Sequence, residues 1–242
     1  MVAENHRDWE DLSELDPMWA VLSEPQHRFG KWDPAEFFST GEGEVAGLRS
    51  RLSGHGLPDT FASALDFGCG LGRITRALRI CCTEVIGVDV SEGMIRQAQS
   101  FAPDCQFIHN PYDDLRMFPS NRFDLLYSCR VLQHQPSKRL ILEWVSEFVR
   151  VVKPGGAAAF QVPSYIPYLH RIQPRRRLYR VLQALGLPPR ILHGVRLTPI
   201  CITSASVTEV TAAVELAGGT IVAVGPDDSC PGVESKFYLV TK

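Results

Sequence analysis

Apolar residues along the chain fall either into short unbroken runs or into helically spaced sets, and the two kinds alternate. The runs "FASALDF" (61–67), "EVIGVDV" (84–90), "CQFIHN" (105–110), "RFDLLYSC" (122–129) and "AAAFQV" (157–162) are bounded by polar or glycine-containing turns, as strands buried on both faces of a parallel sheet are. Helices are predicted over Gly72 to about Ile80 and over "SEGMIRQAQS" (91–100), with Ser91 as cap. A third is predicted over "SKRLILEWVSEFVRVV" (137–152), where Leu140, Ile141, Trp144, Val145 and Phe148 share one face and "KPGG" (153–156) reads as the stop. Upstream, Asp33 and Pro34 suit the cap and first residue of a helix reaching about Leu52. The first 33 residues read as polar and irregular, with Trp9, Trp19 and Trp32 among Pro17, Pro25 and Pro34. Downstream, Ser206–Ala217 reads as a helix, and "TIVAVG" (220–225) and "SKFYLVTK" (235–242) as strands.

This alternation predicts a doubly wound, mostly parallel α/β sheet. In such sheets ligands bind beyond the carboxyl ends of the strands. The turn after the first strand, "ALDFGCGLGRIT" (64–75), belongs at that edge and holds Gly68, Gly70 and Gly72. Its spacing is GxGxG, which is not the GxGxxG of a dinucleotide fold, and no GK[ST] follows to make a phosphate loop. Asp66 precedes the glycines and would repel a pyrophosphate while suiting an amine or hydroxyl. Asp89, ending the second strand, is placed to accept from a ribose diol. One carboxylate for an amino group and another for a sugar fit a nucleoside joined to an amino acid.

On these residues the sequence resembles the class I S-adenosylmethionine-dependent methyltransferases. "LDFGCGLGRIT" is similar to their first motif, "VIGVDVSEGMIRQA" to the second strand and helix, and "FDLLYSCRVLQH" to the fourth-strand motif. "VVKPGGAAAF" is similar to the entry of the fifth strand, and the "GGTIVAVG … KFYLVTK" tail to the last strand pair. The resemblance covers roughly residues 60–163 and 204–242. It implies a Rossmann-like seven-stranded sheet whose final pair is antiparallel, with an N-terminal helical extension and a helical insertion after the fifth strand. It implies one domain throughout: a helical cap over 1–59, a cofactor-binding core over 60–163, a substrate-side insertion over 164–203, and a helix and strand pair over 204–242. The cofactor implied is S-adenosylmethionine. Asp66 would take its amino group, Gly68, Cys69, Gly70 and Gly72 its close approach, Asp89 the ribose, and Val90 and Met94 the adenine. Asn110 and Pro111 follow the third strand where the family places an adenine contact, with Asp113 or Asp114 as alternatives. Ser128 and Cys129 end the fourth strand beside the methionine part. No metal site is expected.

Methyl transfer from a sulfonium mostly requires positioning, and oxygen acceptors often add a base. His134 is the candidate base or substrate positioner, with His170 and His193 behind it, and Arg130 is the candidate contact for an anionic acceptor. Trp19, Phe29 and Trp32 are candidates to close the pocket or, equally, to cover the sheet edge.

Charge adds one feature. Formal net charge is −2, yet from Phe148 to Thr208 there are nine basic residues and no acidic ones, leaving 16 basic against 27 acidic residues elsewhere. Within that stretch Leu178, Val181, Leu182 and Leu185 recur at helical spacing beside clustered arginines. A lid helix packed on the domain, a basic rim for an acidic metabolite, and a basic helix on an anionic membrane all fit this pattern. Nucleic acid is not expected, since no stripe of arginines with interleaved aromatics occurs. Seven cysteines without CxxC spacing read as reduced thiols of a cytoplasmic protein, and no run of about 18 apolar residues is present. The expected activity is therefore methyl transfer to an oxygen or nitrogen of a small-molecule acceptor. An RNA or protein methyltransferase and a non-catalytic cofactor-binding partner are the rival readings. The sequence does not fix the oligomeric state.

Overall fold

A computed structural model describes residues 2–230 and 232–242. In chain order the elements are α1 (Val2–Leu15), α2 (Pro17–Val21), α3 (Pro34–Gly54), β1 (Phe61–Phe67), α4 (Arg73–Leu78), β2 (Cys82–Asp89), α5 (Glu92–Phe101), β3 (Gln106–His109), β4 (Phe123–Ser128), α6 (Lys138–Val151), β5 (Val152–Tyr165), α7 (Tyr168–Ile172), α8 (Pro174–Ala184), α9 (Pro189–Gly194), α10 (Val207–Leu216), β6 (Thr220–Asp227) and β7 (Glu234–Thr241). The strands form one seven-stranded sheet in the order β3-β2-β1-β4-β5-β7-β6. The first five are parallel, and β7 runs antiparallel to both β5 and β6. The expected mostly parallel α/β sheet with an antiparallel final pair is thus the observed one.

Each face of the sheet carries its own core. On one, α6 and α10 lay Ile141, Phe148, Val210 and Val214 against Leu65, Leu126 and Phe160. On the other, α3 and α4 cover Ala64, Leu125 and Ala159 with Val45, Leu48, Leu52 and Leu78. Helix starts follow sequence chemistry. Asp33, Ser91 and Ser137 each accept a backbone N–H three residues on, and Ser206 with Glu209 closes a capping box.

One expectation is corrected and another is extended. The opening 33 residues are not irregular: α1 and α2 lie there, and Leu12, Trp19, Ala20, Leu22 and Trp32 form a third cluster with Phe37, Leu71 and Met94. The polar exterior of α1 hid its buried side. α6 does end just before "KPGG", at Val151, but those residues are more than a stop: they lie inside β5, where Lys153 to Gly156 cross a register shift opposite Phe123 and Leu125 and Gly155 takes φ +80°. β6 and β7 complete the sheet edge, and among the described residues no helix is long and apolar enough to cross a membrane.

Candidate functional site

The exits of β1, β2, β3 and β4 share one end of the sheet, and there they meet α1 and α2 around a cleft. Its free space, mouth included, is about 1060 Å³, at the upper end of the roughly 300–1,000 Å³ of small-molecule sites.

The β1 exit turns on Gly68, Gly70 and Gly72, with φ of +75°, +51° and +79°, a region where a Cβ is penalised. Space forbids one as well. A Cβ would stand 2.3 Å from Val131 at Gly68, 2.6 Å from Val21 at Gly70 and 2.6 Å from Phe107 at Gly72. Val21 and Val131 are themselves walls of the cleft.

Backbone N–H groups of this turn are directed inward. Gly68 and Cys69 donate to Val88 O at 2.8 and 3.0 Å, and Gly70 donates to Asp89 Oδ2 at 2.9 Å. Asp89 Oδ1 accepts the Ser91 N–H at 2.9 Å. Each carboxylate oxygen keeps a lone pair for a further donor, so the pair suits a vicinal diol. Burial raises the Asp89 pKa, with the Ser91 and Gly70 hydrogen bonds opposing. Asp66 is buried in the cleft wall and accepts from Thr75 Oγ1 at 2.6 Å. Burial pushes its pKa up to about 7, against the Thr75 hydrogen bond and the charge of Arg73. A carboxyl in that state gains from an adjacent cation.

Behind Asp66 lies a charge cluster that the sequence reading missed. Glu44 of α3 accepts from Arg73 Nη2 at 2.7 Å, Tyr127 OH at 2.7 Å and Arg130 Nη1 at 2.9 Å. Burial alone would raise its pKa; Arg73 and Arg130 hold it at about 2. Two guanidiniums share one carboxylate, and both Arg73 and Arg130 line the cleft along with Asp66, Asp89 and Asp113. Arg130 sits at φ +62°, and Arg73 Nε makes no hydrogen bond among the described residues. The signal for Glu44 was a charged residue on the inward stripe of α3, alongside Phe37, Gly41 and Leu48.

His134 lies in a short turn after β4, and its ring stacks obliquely on Trp9 with centroids 5.2 Å apart. Its Nδ1 pairs with Cys201 O at 2.8 Å, which fixes the proton on Nδ1 and leaves Nε2 as the acceptor. Nε2 stands 3.0 Å from Gln133 Nε2. Burial pushes the His134 pKa down to about 4, with the Cys201 bond opposing, so the ring is neutral at neutral pH. Thr203 reinforces the link to Cys201's segment, its N–H donating to Gln133 O at 2.8 Å and its Oγ1 to Gln135 O at 2.6 Å.

Of the expected positions, Asp66, Gly68, Cys69, Gly70, Asp89, Val90, Met94, Asn110, Arg130 and His134 all line the cleft. Three do not: Gly72 caps α4 against Phe107, Ser128 is buried with its Oγ unpaired, and Pro111 is exposed past β3. Asn110 spends its amide on its own turn, donating to Asp114 O at 3.0 Å and accepting from the Tyr112 N–H at 3.1 Å. Asp113 joins the wall with Tyr112, while Asp114 is engaged by Arg116. Cys129 also lines it, its thiol pushed up to about 12 by burial. Trp19 and Trp32 belong to the N-terminal core and Phe29 is exposed; it is Trp9, with Asn5 and His6, that closes the cleft. His193 is buried against Asp16 at 3.4 Å, and His170 is exposed outside the cleft.

Residues 64–156 match a family profile described as a methyltransferase domain. The chain is 31% identical over 145 residues to a trans-aconitate 2-methyltransferase of Azoarcus sp. (strain BH72), covering 58% of this chain and 54% of that one. It is 39% identical over 103 residues to a malonyl-[acyl-carrier protein] O-methyltransferase of Salmonella typhimurium, covering 41% and 38%. The chain thus spans about half the length, or less, of these curated relatives. Among solved structures it is similar to a magnesium protoporphyrin IX methyltransferase of Synechocystis PCC 6803 with bound S-adenosylhomocysteine, at 17% identity and a TM-score of 0.64, covering 98% and 97%. That likeness is one of fold.

Proposed function

We propose that the chain, whose residues 64–156 match a methyltransferase-domain profile, is a class I enzyme that moves a methyl group from S-adenosylmethionine to an oxygen or nitrogen of a small, anionic acceptor. The observation that carries the reading is the meeting of Asp66, the glycine turn and Asp89 in one cleft. Asp89 offers two oxygens to a ribose diol, Asp66 a carboxyl that a neighbouring ammonium would ionise, and Val90 and Met94 an apolar wall for a base. The bound cofactor supplies a methyl already activated on sulfur. The protein's part is to align an acceptor and exclude water. Arg73 and Arg130 favour an anion in the cleft, and the O-methyltransferase name of one relative accords with an oxygen acceptor. His134, neutral and with Nε2 met by the Gln133 amide, positions the acceptor from the cleft wall; its Nε2 takes a proton only once that amide turns away. Free cysteines accord with a reducing, cytoplasmic setting.

Calorimetric titration with S-adenosylmethionine, S-adenosylhomocysteine and NAD tests this directly. Binding of both sulfur nucleosides, loss of about a hundredfold or more in affinity in Asp89→Ala, and no binding of NAD are expected. Binding of neither sulfur nucleoside overturns the reading. Binding without turnover on any carboxylate or phosphate acceptor favours the non-catalytic rival.

A further inference from the structure

The two faces of α8 are reversed relative to a helix that packs on a core. The side turned toward the domain is polar. Arg180 pairs with Asp8 and, at 3.3 Å, with Glu4 of α1, and Arg176 Nε donates to Pro199 O at 2.9 Å. Tyr179 is the side chain of α8 that is buried there. On the opposite side Leu178, Val181 and Leu185 form one stripe, being three and four residues apart on a period of 3.6. They are 49%, 56% and 72% exposed. Leu182, the fourth residue of the helically spaced set, is half-buried, so α8 does rest on the domain, as the lid reading has it, but through Tyr179 and its polar side rather than through the other three leucine and valine side chains. Arg175 and Arg177, both exposed, fall on either flank of the stripe. In α9, which packs on α8, Ile191 is exposed beside exposed Arg190, and just past its end Val195 is exposed beside exposed Arg196.

We propose that this face of α8 and α9 docks on the surface of an anionic lipid bilayer. The apolar stripe enters the boundary between headgroups and acyl chains, and the flanking arginines meet lipid phosphates. An apolar stripe bordered by cations is what an in-plane interfacial helix requires, and arginines near an anionic leaflet add attraction that water alone does not give. The insertion supplies no opposing charge, since it holds no Asp or Glu, and the nearby Glu4 and Asp8 are occupied by Arg180. A nucleic acid offers phosphates but nothing to cover the stripe. A second copy would set this cationic face against a like one. Arg180 also fastens α8 to α1, whose Asn5, His6 and Trp9 line the cleft, so the docking helix is one helix away from the mouth. The inference goes beyond methyl transfer and does not depend on it.

The test is sedimentation of the full chain with vesicles of phosphatidylcholine alone and of phosphatidylcholine mixed with phosphatidylglycerol, with no cofactor or acceptor present. The protein is expected to pellet with the anionic vesicles only, and less so as salt is raised. Two variants separate the contributions: Leu178→Ser/Val181→Ser/Leu185→Ser and Arg175→Gln/Arg177→Gln. Each is expected to weaken binding about tenfold or more while melting at the temperature of the parent, since the altered side chains are exposed. No pelleting with anionic vesicles overturns the proposal, as does pelleting that both variants retain. A dimer in light scattering that the serine variant dissolves, without vesicle binding, assigns the face to a second copy. Gel retardation of nucleic acid lost in the glutamine variant alone, without vesicle binding, assigns it to nucleic acid. Either result overturns the lipid assignment.

Discussion

Helices α6 and α8 are written in the same amphipathic pattern and bury opposite faces. In α6, Leu140, Ile141, Trp144, Val145 and Phe148 are all buried against the sheet and α10. In α8 the apolar stripe is outside, and the polar side is held in by ion pairs to α1. Periodicity reports that a helix has two faces, and the neighbours decide which of them is covered. For α6 the neighbours are β4, β5 and α10, all apolar. For α8 the neighbours are α9 and α1, and α1 presents Glu4 and Asp8 to it.

The largest expected effect sharpens that contrast on the α6 side. Phe148→Ala removes a fully buried ring between Phe67 and Phe160 and is expected to cost about 3–5 kcal/mol in urea unfolding. The ion pair under α8 comes next. Arg180→Met strands Asp8, whose pKa burial already raises to about 6 despite Arg180. Without Arg180 the Asp8 pKa rises further, so the deficit relative to the parent opens toward about 3 kcal/mol as pH climbs past about 6. Below it the carboxyl is protonated, so the deficit relative to the parent shrinks as pH falls from 7.5 to 5. An equal deficit at both pH values breaks the account.

The Asp66 carboxyl predicts a smaller, pH-dependent effect. In the free protein it holds a proton up to about pH 7, and that proton must leave before the group can face an ammonium. Affinity for S-adenosylhomocysteine is therefore expected to rise toward tenfold per pH unit below about 7 and to level off above it. Asp66→Asn should bind more weakly and lose the slope. Smallest of all is Leu185→Ser on the outer stripe, expected within about 0.5 kcal/mol of the parent in the same unfolding assay. A loss comparable with Phe148→Ala would mean that the stripe is packed after all.

The legible parts of this chain are those where local chemistry and tertiary environment agree. The strands "FASALDF" and "RFDLLYSC" are buried on both faces and could face nothing else, and Ser91 and Ser206 cap the helices their sequences start. The carboxylates Asp66 and Asp89 were legible because they flank a turn that only glycine can make. What was not legible depends on distant partners. Glu44 is acidic on an inward stripe because Arg73 and Arg130 come to it from 29 and 86 positions away. Trp9 lines the cleft rather than Trp19 or Trp32 because α1 meets the strand ends there, whereas α2 gives the cleft Ala20 and Val21 and keeps Trp19 in the N-terminal core beside Trp32. "KPGG" was read only in part because a helix stop and a bulged strand entry use the same residues.

One contact of α1 bears on time rather than on affinity. Glu10 accepts from Ser91 Oγ at 2.7 Å and from the Gly93 N–H at 3.1 Å, beside Asp89, and Gln97 Nε2 donates to Ser13 O at 2.9 Å. The helix that lines the cleft with Trp9 is thus latched to the first turn of α5, next to Asp89. Any swing of α1 away from the strand ends must break the Glu10 and Gln97 hydrogen bonds, so what these bonds govern is how often that helix lifts.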